Sequence, residues 1–198
     1  MNRKKKPKAD TSRKLLIERL QPEEATRVLQ RLLAAHPELE MEAEGVAKSL
    51  LRAADFEVIA DDICDAIQSL GYEQLQGRAG RQAWGYVEPD QAAADILNET
   101  IAPFLDDLKR RVDLGLQEEA LEQCKGLVLG CYRLEKDGGG DLVQYAPEFP
   151  GETAACALEI WRDGATRPGK RTIFSNEFIE QFVPEWDTMV VRVCSKTR

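Results

Sequence analysis

The chain has 198 residues, of which 43% are hydrophobic and 31% charged, and its formal net charge is −8. That balance excludes wholesale disorder, and the length suffices for one domain with a sizeable core. No apolar run reaches the length needed to cross a bilayer, and the basic first residues lack the apolar core and cleavage site of a signal peptide, so a cytoplasmic protein without membrane association is expected.

Charge is distributed unevenly. Residues 1–14 carry Arg3, Lys4, Lys5, Lys6, Lys8, Arg13 and Lys14 against Asp10 alone, a net of +6, which leaves −14 on the rest of a chain totalling −8. An acidic body repels nucleic-acid backbones, whereas the stretch Arg3 to Lys8 is suited to touching phosphate. Residues 1–11 are expected to form a basic disordered tail and 12–198 a single all-helical domain. Five cysteines, odd in number and widely scattered, read as reduced core residues.

Thr11 or Ser12 is placed to cap a short helix carrying Leu15, Leu16 and Leu20. Pro22 then stands at a first-turn position, followed by Glu23 and Glu24 where they favour the helix dipole, and by the stripe Ala25, Val28, Leu29, Leu32 and Leu33. Pro37-Glu38 opens another helix with Leu39, Ala43, Val46, Ala47, Leu50 and Leu51 inward. Two antiparallel neighbours are implied. Asp55 caps a further helix whose buried side holds Phe56, Ile59, Ile63, Ala66, Ile67 and Leu70, and Gly71 is expected to end it. Asp61, Asp62 and Asp65 match the acidic spacing with which helical prenyl-transferring enzymes hold magnesium, but they project from the opposite side, as a solvated face.

Residues 72–88 show no clear period and read as an ordered loop pinned by Tyr72, Leu75, Trp84 and Tyr86. Its stretch Gly77 to Gly85 sets Arg78, Arg81 and Trp84 among glycines, a composition able to bind an anion, stack a base or grip an acidic peptide. The plainer alternative has Trp84 anchoring the loop while Arg78 and Arg81 pair with surface acids.

From Asp90 to Glu135 two long amphipathic segments meet at Gly115. Ala93, Leu97, Ile101, Phe104, Leu105, Leu108 and Val112 recur at helical spacing, Pro89 fits a first turn, and Gly115 fits a left-handed terminus. Pro103 is expected to kink or split this helix near Thr100 to Ala102. Ala120, Leu121, Cys124, Leu127, Val128, Cys131 and Leu134 continue the pattern up to Gly138-Gly139-Gly140. So short a connection predicts antiparallel packing. Gly126 and Gly130, one turn apart, predict a strip where another backbone comes close.

The run Leu114-Gly115-Leu116-Gln117-Glu118-Glu119-Ala120-Leu121 resembles the turn of a tetratricopeptide-type helical hairpin. The resemblance covers one hairpin, residues 90–135, and implies a helical-repeat scaffold; three glycines stand where such a repeat usually ends in proline. The basic start and Ala35-His36-Pro37-Glu38-Leu39 are similar to helical regions of bacterial proteins that carry a SWIM zinc finger. The ligands of that finger are absent, so its metal and nucleic-acid binding do not carry over.

Residues 137–152 read as a second loop, after which Thr153 is placed to cap a helix with Ala154, Ala157, Leu158 and Trp161. Gly164 to Arg171 nearly fits a phosphate-binding loop, but Arg171 replaces the required hydroxyl residue and a helix precedes it instead of a strand. A short helix is expected around Phe178, Ile179 and Phe182, and residues 189–193 fit either helix or strand. The lone His36 has no nucleophile beside it in the pattern, so no catalytic set, metal site or cofactor is expected.

The expected fold is all-α, with about seven or eight helices as antiparallel hairpins in an α-α superhelix or irregular bundle. The expected function is a non-enzymatic, helical-repeat-like scaffold that binds another protein through Arg78, Arg81 and Trp84. One alternative is a nucleic-acid-associated protein using Arg3, Lys4, Lys5, Lys6 and Lys8; another is a helical enzyme with buried carboxylates. Oligomeric state stays open at this point.

Overall fold

Helix ends fall where backbone chemistry demands them in the computed structural model, which describes residues 16–52, 55–83, 85–165 and 174–195. The fold is all-α. Nine α-helices and one two-stranded hairpin occur among the described residues, against the seven or eight helices expected. The chain divides into two compact units, residues 1–51 and 52–198, a boundary the sequence pattern did not mark.

The first unit holds a 3-10 turn (Leu16–Arg19), α1 (Pro22–Ala35), a second 3-10 turn (Pro37–Leu39) and α2 (Glu40–Leu50). Pro22 opens α1 as expected, and the Glu24 carboxylate accepts the Gln21 backbone N–H at 3.0 Å, satisfying one donor that the helix cannot. Thr11, Ser12 and Leu15 lie outside the described residues. The expected inward stripes are not inward: none of the described residues of this unit is buried. The helices form where predicted, but α1 and α2 meet mainly through the turn at Pro37–Leu39 and offer only one layer.

The second unit contains α3 (Phe56–Gln68), α4 (Tyr72–Arg78), β1 (Gly80–Gln82), β2 (Gly85–Val87), α5 (Pro89–Asp113), α6 (Gln117–Asp137), α7 (Phe149–Ala165), α8 (Asn176–Phe182) and α9 (Asp187–Ser195). Helix α6 is its axis, packed by α3, α5 and α7. From Gln123 to Cys131 every residue except Lys125 is buried. At Gly126 an added Cβ would stand 2.5 Å from the Ile59 side chain and 3.0 Å from the Phe56 carbonyl; at Gly130 it would meet Ile63 at 3.1 Å and the Ala60 carbonyl at 3.2 Å. The predicted glycine strip is therefore the seat of α3.

Helix α5 ends as its sequence requires. Gly115 takes φ +72°, its N–H donates to the Val112 carbonyl at 2.9 Å, and the Leu116 N–H reaches back to Arg111 at 3.0 Å, the paired bonds of a Schellman motif. Pro103 does not split α5, which runs unbroken from Pro89 to Asp113. Both Pro103 and Glu99, whose carbonyl loses its donor, are exposed, so water can replace the missing bond.

Four other expectations need correction or completion. Residues 72–88 are not a loop but helix α4 and the β1–β2 hairpin; Leu75 is the buried pin, while Tyr72 and Tyr86 are exposed. Gly71 does not end α3, which stops at Gln68, but precedes α4 in an extended conformation at φ −130°. Helix α7 begins at Phe149, so Thr153 is a buried interior residue and not a cap. Residues 189–193 are helical, within α9, where Val190 and Val193 are buried on one side.

Replacing Gly126 with Ala is expected to lower unfolding free energy by about 1–3 kcal/mol, because the overpacking outweighs the gain in helix propensity. Gly77→Ala in α4, where an added Cβ meets nothing within 4 Å, is expected to be neutral or stabilising by up to about 1 kcal/mol. Denaturant melts of the two variants check the contrast.

Candidate functional site

The β1–β2 ribbon pairs Gly80 with Val87, Arg81 with Tyr86 and Gln82 with Gly85, leaving Ala83 and Trp84 as its two-residue connection. Directly opposed residues of an antiparallel pair share a face. Arg81 and Tyr86 are therefore side by side, and both are exposed, Tyr86 by 66%. With Gln82, Ala83 and Gly85 they line an open concavity.

Two contacts hold this ribbon in place. The Gln82 side-chain amide donates to the Arg78 carbonyl at 3.0 Å, tying β1 to the end of α4. The Arg78 guanidinium grips Glu99 of α5 in a two-pronged pair, with N–O distances of 2.6 and 2.5 Å. Glu99 holds the Arg78 pKa above its ordinary value, and Arg78 lowers that of the Glu99 carboxyl in return. Arg78 thus acts as a strut, with its fork already engaged. Arg81 makes no ion pair among the described residues. Of the three residues expected to form the contact point, Arg81 alone faces outward uncommitted; Trp84 lies outside the described residues. Tyr86 joins Arg81 instead. The signal for it was present in the spacing, since Gly80-Arg81-Gln82 and Gly85-Tyr86-Val87 flank two residues as hairpin strands do.

A second concavity of about 250 Å3 lies between α5 and α7, where Asn98, Glu152 and Cys156 stand among Ala94, Leu105 and Phe149. Burial raises the Cys156 thiol pKa, with Lys109 pulling the other way. His36, the only histidine in the chain, belongs to the first unit and pairs with Glu38 at 3.1 Å. Among the described residues no group of three His, Cys, Asp or Glu side chains is arranged to hold a metal. Asp61, Asp62 and Asp65 are exposed on α3, and Asp61 is bound by Arg133 at 2.5 Å. Gly164 and Ala165 end α7, and the residues Thr166 to Arg171 lie outside the described ones. Arg3, Lys4, Lys5, Lys6 and Lys8 do too. No helix among the described residues is long and apolar enough to cross a membrane.

Comparisons of the chain with protein-family models, with curated proteins and with solved structures each return no match.

All five cysteines are free thiols. Burial pushes Cys124 and Cys131 well above the ordinary value of 9.0. A thiol that stays protonated when folded stabilises fully below its unfolded pKa and loses that contribution as pH rises past it. Above pH about 9, unfolding free energy is expected to fall by about 1.4 kcal/mol per pH unit for each of these two thiols. Alkaline denaturation of Cys124→Ala and Cys131→Ala variants, each with a shallower slope, checks this. Maleimide is expected to label exposed Cys156 first in the native protein, and Cys124 and Cys131 only on unfolding.

Proposed function

We propose that this chain is a non-enzymatic helical scaffold whose second unit binds another protein through the β1–β2 ribbon. The observation that carries the reading is the pairing of Arg81 and Tyr86 on one exposed face of a ribbon braced from below. Arginine and tyrosine are enriched where interfaces are buried, because each offers a large, flat contact area with a polar end. The brace matters equally. A ribbon tied to α4 by Gln82 and seated on α5 through Arg78 loses little conformational entropy on binding. On an otherwise acidic chain an uncommitted arginine favours a partner surface carrying a carboxylate beside an apolar patch. The five free thiols and the absence of a long apolar helix among the described residues are compatible with a cytoplasmic setting.

The reading is tested by affinity capture from native cells with the full chain, wild type and Arg81→Glu/Tyr86→Ala. One partner is expected to be retained by the wild type, with or without nuclease, and to fall by at least about tenfold with the double variant. Arg78→Ala is expected to weaken capture less, since it removes the brace and not the contact. Recovery dominated by nucleic acid, and lost with nuclease or when residues 1–12 are deleted, would replace this reading with that of a basic arm on phosphate.

A further inference from the structure

The first unit carries an unanswered apolar surface. Its α-helices have 14 and 11 residues, lengths at which a helix in water depends on packing its apolar stripe. Yet Val28, Leu29 and Leu32 of the α1 stripe and Val46 and Leu50 of the α2 stripe are all exposed, Leu50 by 79%. Two helices with unburied apolar stripes call for a second layer against which to pack them.

We propose that the second layer is the first unit of another copy of this chain, packed antiparallel to form a four-helix bundle. The segments outside the described residues do not have the composition to cover the stripe: residues 1–15 hold seven basic groups, and 166–173 contribute Ile173 as their only large aliphatic side chain. Charge polarity selects a copy and its direction. Helix α1 is acidic at its start, with Glu23 and Glu24, and basic further on, with Arg27 and Arg31; α2 runs from Glu40, Glu42 and Glu44 to Lys48. Any antiparallel pairing of these helices with those of a copy sets acids against bases, whereas a parallel pairing sets like against like. Glu24 and Arg31 are seven residues apart and so share one flank of the α1 stripe. Across a twofold axis each Glu24 faces the other copy's Arg31, giving two equivalent pairs at the edge of an apolar seam.

Sedimentation equilibrium of the full chain, up to about 200 µM, tests this, a range that captures any dimer of micromolar affinity. The wild type is expected to convert from the 22.2 kDa chain mass to twice that value as concentration rises. Leu29→Asp with Leu32→Asp is expected to weaken association by at least about a hundredfold by placing charge in the seam. Arg31→Glu is expected to weaken it about tenfold by setting like charges together at two symmetry-related contacts, and Glu24→Gln, which keeps an acceptor for the Gln21 N–H, to recover most of that loss when added to Arg31→Glu. Circular dichroism of every variant checks that the remaining helices stay folded. A wild type that stays at 22.2 kDa throughout, even one that captures a different protein, overturns the proposal. So does a dimer insensitive to Leu29→Asp/Leu32→Asp, or an Arg31→Glu loss that Glu24→Gln leaves unrelieved. The proposal stands apart from partner capture by the ribbon: a monomeric variant that still retains the partner separates the two.

Discussion

The close approach of α3 to α6 at Gly126 and Gly130 is the constraint on which the rest of residues 52–198 depends. Carbonyls of Phe56 and Ala60 lie where a side chain on α6 would have to go, so the two helices touch backbone to side chain without an intervening layer. The Cys64 thiol, on the next turn of α3, donates to the Gly130 carbonyl at 3.6 Å and continues the line of contact. Gly126 meets Ile59 and Gly130 meets Ile63, so the pairing advances in the same direction along both helices. A helix held this tightly on one side can be covered on its others by α5 and α7, and it is buried nearly all round as a result.

From that axis the outer elements take their positions. Phe56, at the start of α3, makes edge-on contacts with Phe178 and Phe182 of α8 at 5.4 and 5.1 Å, while Lys125 of α6 sits 5.5 Å from the Phe56 ring centre. The C-terminal helices are tied back by polar bonds: Trp186 donates to Glu135 at 3.3 Å, and Arg162 donates to the Val193 carbonyl at 2.7 Å. Gln123, buried within α6, spends its amide on the Phe104 carbonyl of α5 at 3.3 Å. Such bonds add little net energy each, but an unmet buried donor would cost more, so they fix which arrangement of the helices is tolerated. The ribbon inherits this rigidity through α4, whose Leu75 is buried, and through the grip of Arg78 on α5.

The two units use the same helical grammar to opposite ends. In the second, stripes of Leu, Ile and Val converge and disappear from solvent; in the first, stripes of equal regularity stay in contact with it. Local signals such as Pro22 at the head of α1 form a helix in either case. What differs is the number of layers. Two short helices joined by a 3-10 turn make one layer, and one layer cannot bury its own apolar side.

How far the sequence was legible follows from which interactions are local. The existence of the longer helices, the Asp55 cap, the Gly115 terminus and the solvated Asp61, Asp62 and Asp65 face were readable, because each depends on neighbours within about a turn or two. Even the Gly126 and Gly130 strip could be read, since interior glycine has a cost that only close packing offsets. Residues 72–88 were misread because the period of a seven-residue helix followed by two three-residue strands is too short to register. At the candidate site the residue types were visible, but their commitments were not: Glu99 lies 21 residues from Arg78, and nothing in the pattern shows that it takes the Arg78 fork and leaves Arg81 beside Tyr86. Periodicity likewise marks a face as apolar without saying what stands opposite it, which is why α1 and α2 read like core helices. By itself the sequence determined where the longer helices are and which side of each is apolar, because dihedral preference and side-chain spacing act along the chain; only the tertiary structure decided the short elements, which faces are covered and which charges are free, because those depend on groups brought together from far apart.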